Sequence, residues 1–511
     1  MTEACGKMKP RPAGSVPACI SHRREENRII LLAKGRNAAG TGGAAAVTGT
    51  GRTGRAGRTG ESVRTGRAGR TGESVRTGRV GRTGESVRTG RAGRTGESAR
   101  AGESARADGI GKSGKNRKSN SVTSARTEKK SGNYDYSLLF IVLVLLSLGL
   151  VLLYSTSSYI GAVEENDSAF YFKRQLAFTI MGLVLMLIVS RTPYRWWRYL
   201  SIPGYMATIA LIILVIPYGR EVNGAKRWLY LTDHISLQPS EMAKVTIIIC
   251  TAFIIELIGR RRLQTAWGFL LPMVPAGIVA VMLWKITNNM SSALLILAIA
   301  FGMLFVACPD YKRFVALAVI GIGGCIGIVT YIIRTADQNN MGFRGGRVLV
   351  WLNPQAYADD TGYQTLQALY AIGSGGMFGK GLGQSMQKIV VPEAQNDMIF
   401  SIICEELGLF GAIAIMVLFI MLIWRFILIA GNAVDLYGAL IVTGVITHIS
   451  VQVILNIAVV TNTIPNTGVT LPFISYGGSS LFFLLAEIGM VMSVARKSSE
   501  AEAANEQGRG D

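Results

Sequence analysis

After Tyr136 the chain carries about ten apolar stretches, each close to the length a bilayer-spanning helix needs. Lipid offers a backbone no water, so spanning segments must be helices or closed barrels, and stretches this long select helices. The expected fold class is an all-α polytopic membrane protein. Its spans are predicted over Leu138–Ser157, Gln175–Ser190, Leu200–Pro217, Glu241–Ile258, Trp267–Trp284, Met290–Ala307, Val315–Ile333, Met398–Trp424, Leu436–Val460 and Ser479–Val494. A chain that is 49% hydrophobic and only 17% charged, with mean hydropathy +0.34, fits that class and not an ordinary soluble domain.

The formal net charge of +21 suggests nucleic-acid binding until it is located. Residues 1–130 hold 29 Lys+Arg against 10 Asp+Glu, which leaves the remainder nearly neutral. Within this tail RAGRTGESVRTG recurs with a period of 12 from Arg55 to about Arg106. Each unit is arginine, glycine and small polar residues, too little apolar surface to offset the entropy of ordering. Residues 1–133 are therefore expected to be a disordered basic low-complexity tail of slight function; the sharper alternative is electrostatic contact with anionic membrane lipid, and no specific nucleic acid is expected. No apolar stretch near Met1 marks a signal peptide. Residues 134–498 form the membrane body and 499–511 a short C-terminal tail.

The positive-inside rule orients the spans. Ten spans put the tail, Arg191, Arg195, Arg198, Arg260–Arg262, Lys312, Arg313, Arg425, Arg496 and Lys497 on one side, with both termini cytoplasmic. The other side receives residues 219–240, the long segment 334–397 and residues 462–478. The six cysteines form no CxxC pair, and the three histidines, His22, His234 and His448, are scattered without a visible catalytic partner.

The outer segments hold the chemistry. In GSGGMFGKGLGQSMQKIVVPEAQNDMIFSIICEELGLFG a glycine-rich loop with Lys380 and Lys388 leads to Glu393 and Asp397, directly before an apolar run. Two readings fit Asp397: a helix N-cap, or a functional carboxylate at the hydrocarbon edge. The glycines are expected to let backbone approach a ligand. No Walker-type phosphate motif is present. Upstream, short amphipathic surface helices are expected around Arg344, Arg347 and Gln364. In NGAKRWLYLTDHISLQPSEMAK, Lys226 and Arg227 adjoin Trp228, while Gln238, Ser240, Glu241 and Lys244 open the next span, the acid and base spaced i,i+3. Clustered bases around a few acids suit a phosphate-bearing substrate. In the third segment Pro465, Pro472 and Gly477–Gly478 exclude a regular helix, which at membrane depth is tolerated only along protein or a wet cavity.

Together these stretches resemble the SEDS family (shape, elongation, division and sporulation). The resemblance rests on YSTSS at 154–158, FKRQLAF at 172–178, NGAKRWL at 223–229, QPSEMAK at 238–244, AIGSGGMFGKGLG at 371–383, VPEAQNDMIF at 391–400, EELGLFG at 405–411 and TGVTLPFISYGGSS at 467–480. It implies a peptidoglycan glycosyltransferase in the bacterial cytoplasmic membrane that polymerises lipid II, acting on lipid-linked glycan beside a class B penicillin-binding transpeptidase and divisome or elongasome proteins. It places the family's essential aspartate at Asp397, its embedded acid and base at Glu241 and Lys244, and its motif tryptophan at Trp228. Lys226, Arg227, Gln238, Ser240, Arg344, Arg347, Gln364, Lys380, Lys388, Glu393 and Ser475 become the candidate substrate-binding residues. A divalent cation, Mg or Mn, is an open cofactor. One departure is TNNMSS at 287–292, where Asn289 replaces the acid of the family's QPDLGT-like motif; the spelling leans to the FtsW branch over the RodA branch. The alternatives are a lipid II flippase and a non-catalytic scaffold for the transpeptidase, and formation of glycan polymer by purified protein separates an enzyme from both.

Overall fold

A computed structural model describes residues 135–507 apart from 223–224, 231–235, 336–342 and 359–361. The repeat tail, His22, His234 and residues 508–511 lie outside the described residues. Helices α1 (Tyr136–Glu164), α2 (Phe170–Arg191) and α3 (Trp197–Tyr218) come first. A small antiparallel sheet follows: β1 (Gly219–Val222), β2 (Ala225–Tyr230) and β3 (Ser236–Leu237), in the order β1-β2-β3. Then come α4 (Pro239–Arg262), α5 (Ala266–Leu270), α6 (Met273–Lys285), α7 (Met290–Ala307), α8 (Tyr311–Thr335), α9 (Phe343–Leu352), α10 (Tyr363–Gly375), α11 (Ile399–Gly431), α12 (Leu436–Val460) and α13 (Gly478–Gln507).

The protein is a polytopic helical membrane protein. Among the described residues nine helices are long and apolar enough to cross a bilayer. The fifth predicted span, Trp267–Trp284, is divided between α5 and the shorter apolar helix α6, with Pro272 at the α6 cap position. Proline lacks the N–H that would have continued α5. The sheet is a second difference from an all-helical expectation. Its sequence signal was Asn223–Gly224 between two short apolar-polar runs, a strong hairpin dipeptide.

Helices α12 and α13 are the centre of the bundle, with 61% and 67% of their apolar windows buried against 22% for α2 and for α3. Helix α13 packs along α2, and α12 packs against α7 and α11. By contrast, α8 beyond Phe314 buries none of its described side chains.

One end of the bundle is held by its bases. Arg198 pairs with Glu256 at 2.5 Å and with Asp435 at 3.6 Å, and its guanidinium lies over the Tyr437 ring. Arg425 pairs with Asp135, the α1 N-cap, at 2.8 Å, and Arg496 donates to the Arg191 carbonyl. The other end gathers the sheet, the glycine loop and the irregular segment after α12.

The glycine loop is built into that end as structure. Helix α11 breaks at Gly408 (φ +67°), and a helix break leaves backbone groups without partners. The loop supplies them. Lys380 and Gly381 N–H donate to the Glu405 and Glu406 carbonyls at 2.9 Å, and Leu409 and Phe410 N–H donate to the Gly376 and Met377 carbonyls at 3.0 and 3.2 Å. A Cβ at Gly379 (φ +79°) would stand 2.2 Å from the Glu406 carbonyl oxygen. The close approach that Gly375 and Gly379 permit is to α11, while a Cβ at Gly373, Gly376 or Gly383 would meet open space.

Candidate active site

Asp397 closes an irregular segment that is pinned at several points. Gln395 O accepts from Tyr476 N–H at 2.9 Å, Pro392 O accepts from the Gln364 amide at 3.1 Å, and Asp397 O accepts from the Asn456 amide at 2.8 Å. Gln364 also accepts from Asn466 at 3.0 Å, joining the segment before α11 to the segment after α12. Arg347 donates to Asn466 O at 3.1 Å, and Trp351 donates to Asn462 O at 3.1 Å, which lays α9 over the same place.

The side chain of Asp397 does not cap α11. Met398 occupies the cap position without a side-chain bond, while Asp397 Oδ1 is shielded from solvent and accepts no hydrogen bond. A buried oxygen without a donor is costly and calls for an explanation. Burial pushes this carboxyl up to about 7, the negative charge of Glu393 adds to the rise, and backbone N–H groups and Arg347 partly oppose it. Such a group changes charge near neutrality, where a general base works best.

Glu241 and Lys244 form a second cluster in the first turn of α4. Their side chains, 9% and 4% exposed, meet at 2.7 Å. Ser480 at the start of α13 and His448 on α12 lie within reach of the Glu241 carboxylate. His448 therefore has partners after all: Nδ1 lies 2.7 Å from Glu487 Oε2, and Nε2 lies 2.8 Å from Gln452 Oε1. The i,i+4 spacing of His448 and Gln452 was readable in sequence; Glu487, on another helix, was not. Asn456, one turn further along α12, was also missed.

The remaining candidates divide. Lys380 is bound to Glu405 at 2.6 Å. Lys388 donates to the Gly383 and Ser155 carbonyls at 2.7 and 3.2 Å and stands 3.9 Å from Glu406. Both bases thus fasten the glycine loop. Arg227 donates to the Asn288 carbonyl at 3.2 Å, tying the sheet to the start of α7, and Trp228 pairs with Arg220 in the β1–β2 register. Lys226 is exposed, and Gln238 and Trp228 are half-buried. Ser240 Oγ is buried without a partner. Ser475 Oγ accepts from Leu471 N–H at 2.8 Å, closing a turn of the irregular segment. Glu393 is exposed at φ +56° and accepts from the Asn396 amide. Arg344 lies in α9, its side chain outside the described residues. Asn289 caps α7, accepting from Ser292 N–H at 3.1 Å, a task the family's acid could perform equally.

Comparisons with known proteins identify the family. Residues 136–500 match the FtsW/RodA/SpoVE family, described as cell cycle proteins. The chain is 38% identical over 378 residues to stage V sporulation protein E of Bacillus subtilis, covering 73% of this chain and 99% of that protein. It is 36% identical over 365 residues to the probable peptidoglycan glycosyltransferase FtsW of Trichlorobacter lovleyi, covering 71% of this chain and 93% of that one. Among solved structures, a chain of a peptidoglycan synthase complex that coordinates polymerisation and crosslinking superimposes with TM-score 0.60 at 27% identity, over 71% of this chain and 98% of that chain. A single-site variant of the rod shape determining protein RodA of Thermus thermophilus gives TM-score 0.51 at 27% identity, with the same coverage. With nearly all of the membrane body matched and relatives above 30% identity spanning almost their full length, the chain belongs to the FtsW/RodA/SpoVE family of SEDS proteins.

Proposed function

We propose that this chain is a peptidoglycan glycosyltransferase that polymerises lipid II, with Asp397 as its general base. The observation that carries the reading is the buried, unpartnered Asp397 Oδ1 at the mouth of α11. The carboxylate takes the proton from an acceptor sugar hydroxyl. The oxygen bonds to the anomeric carbon of the lipid-linked glycan, and polyprenyl pyrophosphate leaves with the electrons of the broken C–O bond. Arg347, whose charge already reaches Asp397, is placed to hold the pyrophosphate, since guanidinium groups match phosphate in charge and geometry. Lys226, exposed on β2, is a further base on the same side of the bundle. Glu241 and Lys244 keep the first turn of α4 polar and in place beneath Ser480.

Among the described residues no three His, Cys, Asp or Glu side chains form a metal cage. Mg²⁺ is commonly held by one or two carboxylates plus substrate phosphates. Glu393, exposed beside Asp397, is the carboxylate that would hold Mg or Mn arriving with the pyrophosphate, and the ion would offset the leaving group's charge. In this reading the Asp397 end faces outward and the basic end faces the cytoplasm, with both termini inside. The product strand then lies where a class B transpeptidase crosslinks it. The relative in a complex that coordinates polymerisation and crosslinking supports that partnership.

The test is polymerisation of lipid II by purified protein, with and without chelator, comparing the parent with Asp397→Asn. Glycan product from the parent and none from the variant is expected. A correctly inserted variant that polymerises at the parental rate overturns the role of Asp397, and a parent that moves lipid II between leaflets without making polymer overturns the activity.

A further inference from the structure

Three buried polar side chains lie at i, i+4 and i+8 along one face of α12: His448, Gln452 and Asn456, at 2%, 4% and 0% exposure. Asn456 Nδ2 donates to both Asp397 O at 2.8 Å and Val469 O at 2.7 Å. Gln452 Nε2 donates to Thr470 O at 2.9 Å. The same short segment reaches the candidate base, since a Cβ on Gly468 would stand 3.7 Å from Asp397 Oδ2. The wall beside the carboxylate thus hangs from the polar face of α12.

The chemistry of these contacts assigns a proton. A carbonyl only accepts, so the Gln452 amide must turn its NH₂ to Thr470 and its oxygen to His448. That oxygen also only accepts, so His448 Nε2 must carry hydrogen. On the far side Nδ1 stands 2.7 Å from Glu487 Oε2, buried at 1% exposure. That contact requires a proton between the two atoms, on the imidazole or on the carboxyl. The pair is therefore net neutral, with one shared proton and one fixed Nε2–H. The other charged groups near it are Glu241 and Lys244 on α4, already paired with each other.

We propose that His448 is a positioning residue for glycosyl transfer. With Glu487 it holds a single buried proton that locks the Nε2–H donor. This orients Gln452, fixes Val469–Thr470, and so places the wall against which Asp397 works. The inference rests on the reading of Asp397 as the base.

The experiment uses the full chain in nanodiscs, labelled with ¹⁵N-histidine. The chain has only three histidines, so substitutions of His22 and His234 assign the His448 signals. Nε2 protonated from mildly acid to mildly alkaline pH supports the lock, and an unprotonated Nε2 overturns it. Lipid II turnover is then measured on E487Q, E487L and Q452L. The amide of E487Q can still donate to Nδ1 and keep the Nε2–H, so its turnover stays near parental. E487L and Q452L release the segment; misplacing a catalytic group costs up to about 10²-fold, expected here in kcat with KM little changed. Equal turnover of E487L and E487Q overturns the proposal, as does parental turnover of Q452L. If D397N retains full activity while Nε2–H is observed, the shared proton stands, but its positioning role falls with the base assignment.

Discussion

Asp397 and Glu405 lie eight positions apart, yet the fold treats the two acids oppositely. Glu405 is 0% exposed and fully served: Lys380 donates at 2.6 Å, Ser374 at 3.2 Å, Met386 and Gln387 N–H at 3.3 and 3.2 Å, and the Ser385 hydroxyl adds another bond. Its neighbour Glu406 takes the Ser155 hydroxyl of α1. Asp397 keeps one carboxylate oxygen shielded and unserved. Donors around a carboxylate hold its charge in place and spend its basicity, whereas a dry oxygen without donors remains eager for a proton. The comparison separates an acid that fastens from an acid that reacts.

Asp397→Asn breaks the comparison at its reactive side. Loss of a positioned base costs about 10²- to 10⁴-fold in rate, and lipid II turnover should fall by that much while thermal unfolding stays near parental. Glu405→Ala should do the reverse. Removing one partner of a buried ion pair costs about 3–5 kcal/mol, with a smaller loss expected here because the Lys380 side chain is 36% exposed. Its unfolding midpoint and membrane yield drop, and the protein that does fold retains turnover. Gly379→Ala probes the fastening without touching charge. Forcing an L side chain into this left-handed backbone costs about 1–3 kcal/mol, before the clash with the Glu406 carbonyl, and should show as a lower midpoint.

The smallest effect sharpens the reactive side. Only ionised Asp397 accepts a proton, so turnover should rise as pH climbs through about 7 and then level. Glu393→Gln removes a negative charge that holds the carboxyl up, so the rising limb moves to lower pH. A pH profile that stays fixed in this variant would mean burial alone sets the titration.

Much of the bundle was legible because hydrocarbon tolerates so few backbone solutions. The long apolar runs announced themselves, and the one predicted span that is not a single long helix, Trp267–Trp284, carries Pro272 where α5 gives way to α6. Asp397, Glu241 and Lys244 stood out for the same reason: charge at the edge of an apolar run is conspicuous. What sequence could not supply was the identity of the neighbour. Glycine content shows that backbone can come close to something, and at Gly375 and Gly379 that something is α11. Lys380 and Lys388 read as phosphate binders because their acids, Glu405 and Glu406, lay beyond the loop. The His448–Glu487 contact joins two helices, and no local pattern encodes it.

The break at Gly408 also has a mechanical side. The stub from Ile399 to Leu407 is clamped to the glycine loop, while the rest of α11 runs on as a separate rod. Tilting of that rod, as a thicker or thinner bilayer would impose, is taken up at the joint. The carboxylate is left moored to its own quay.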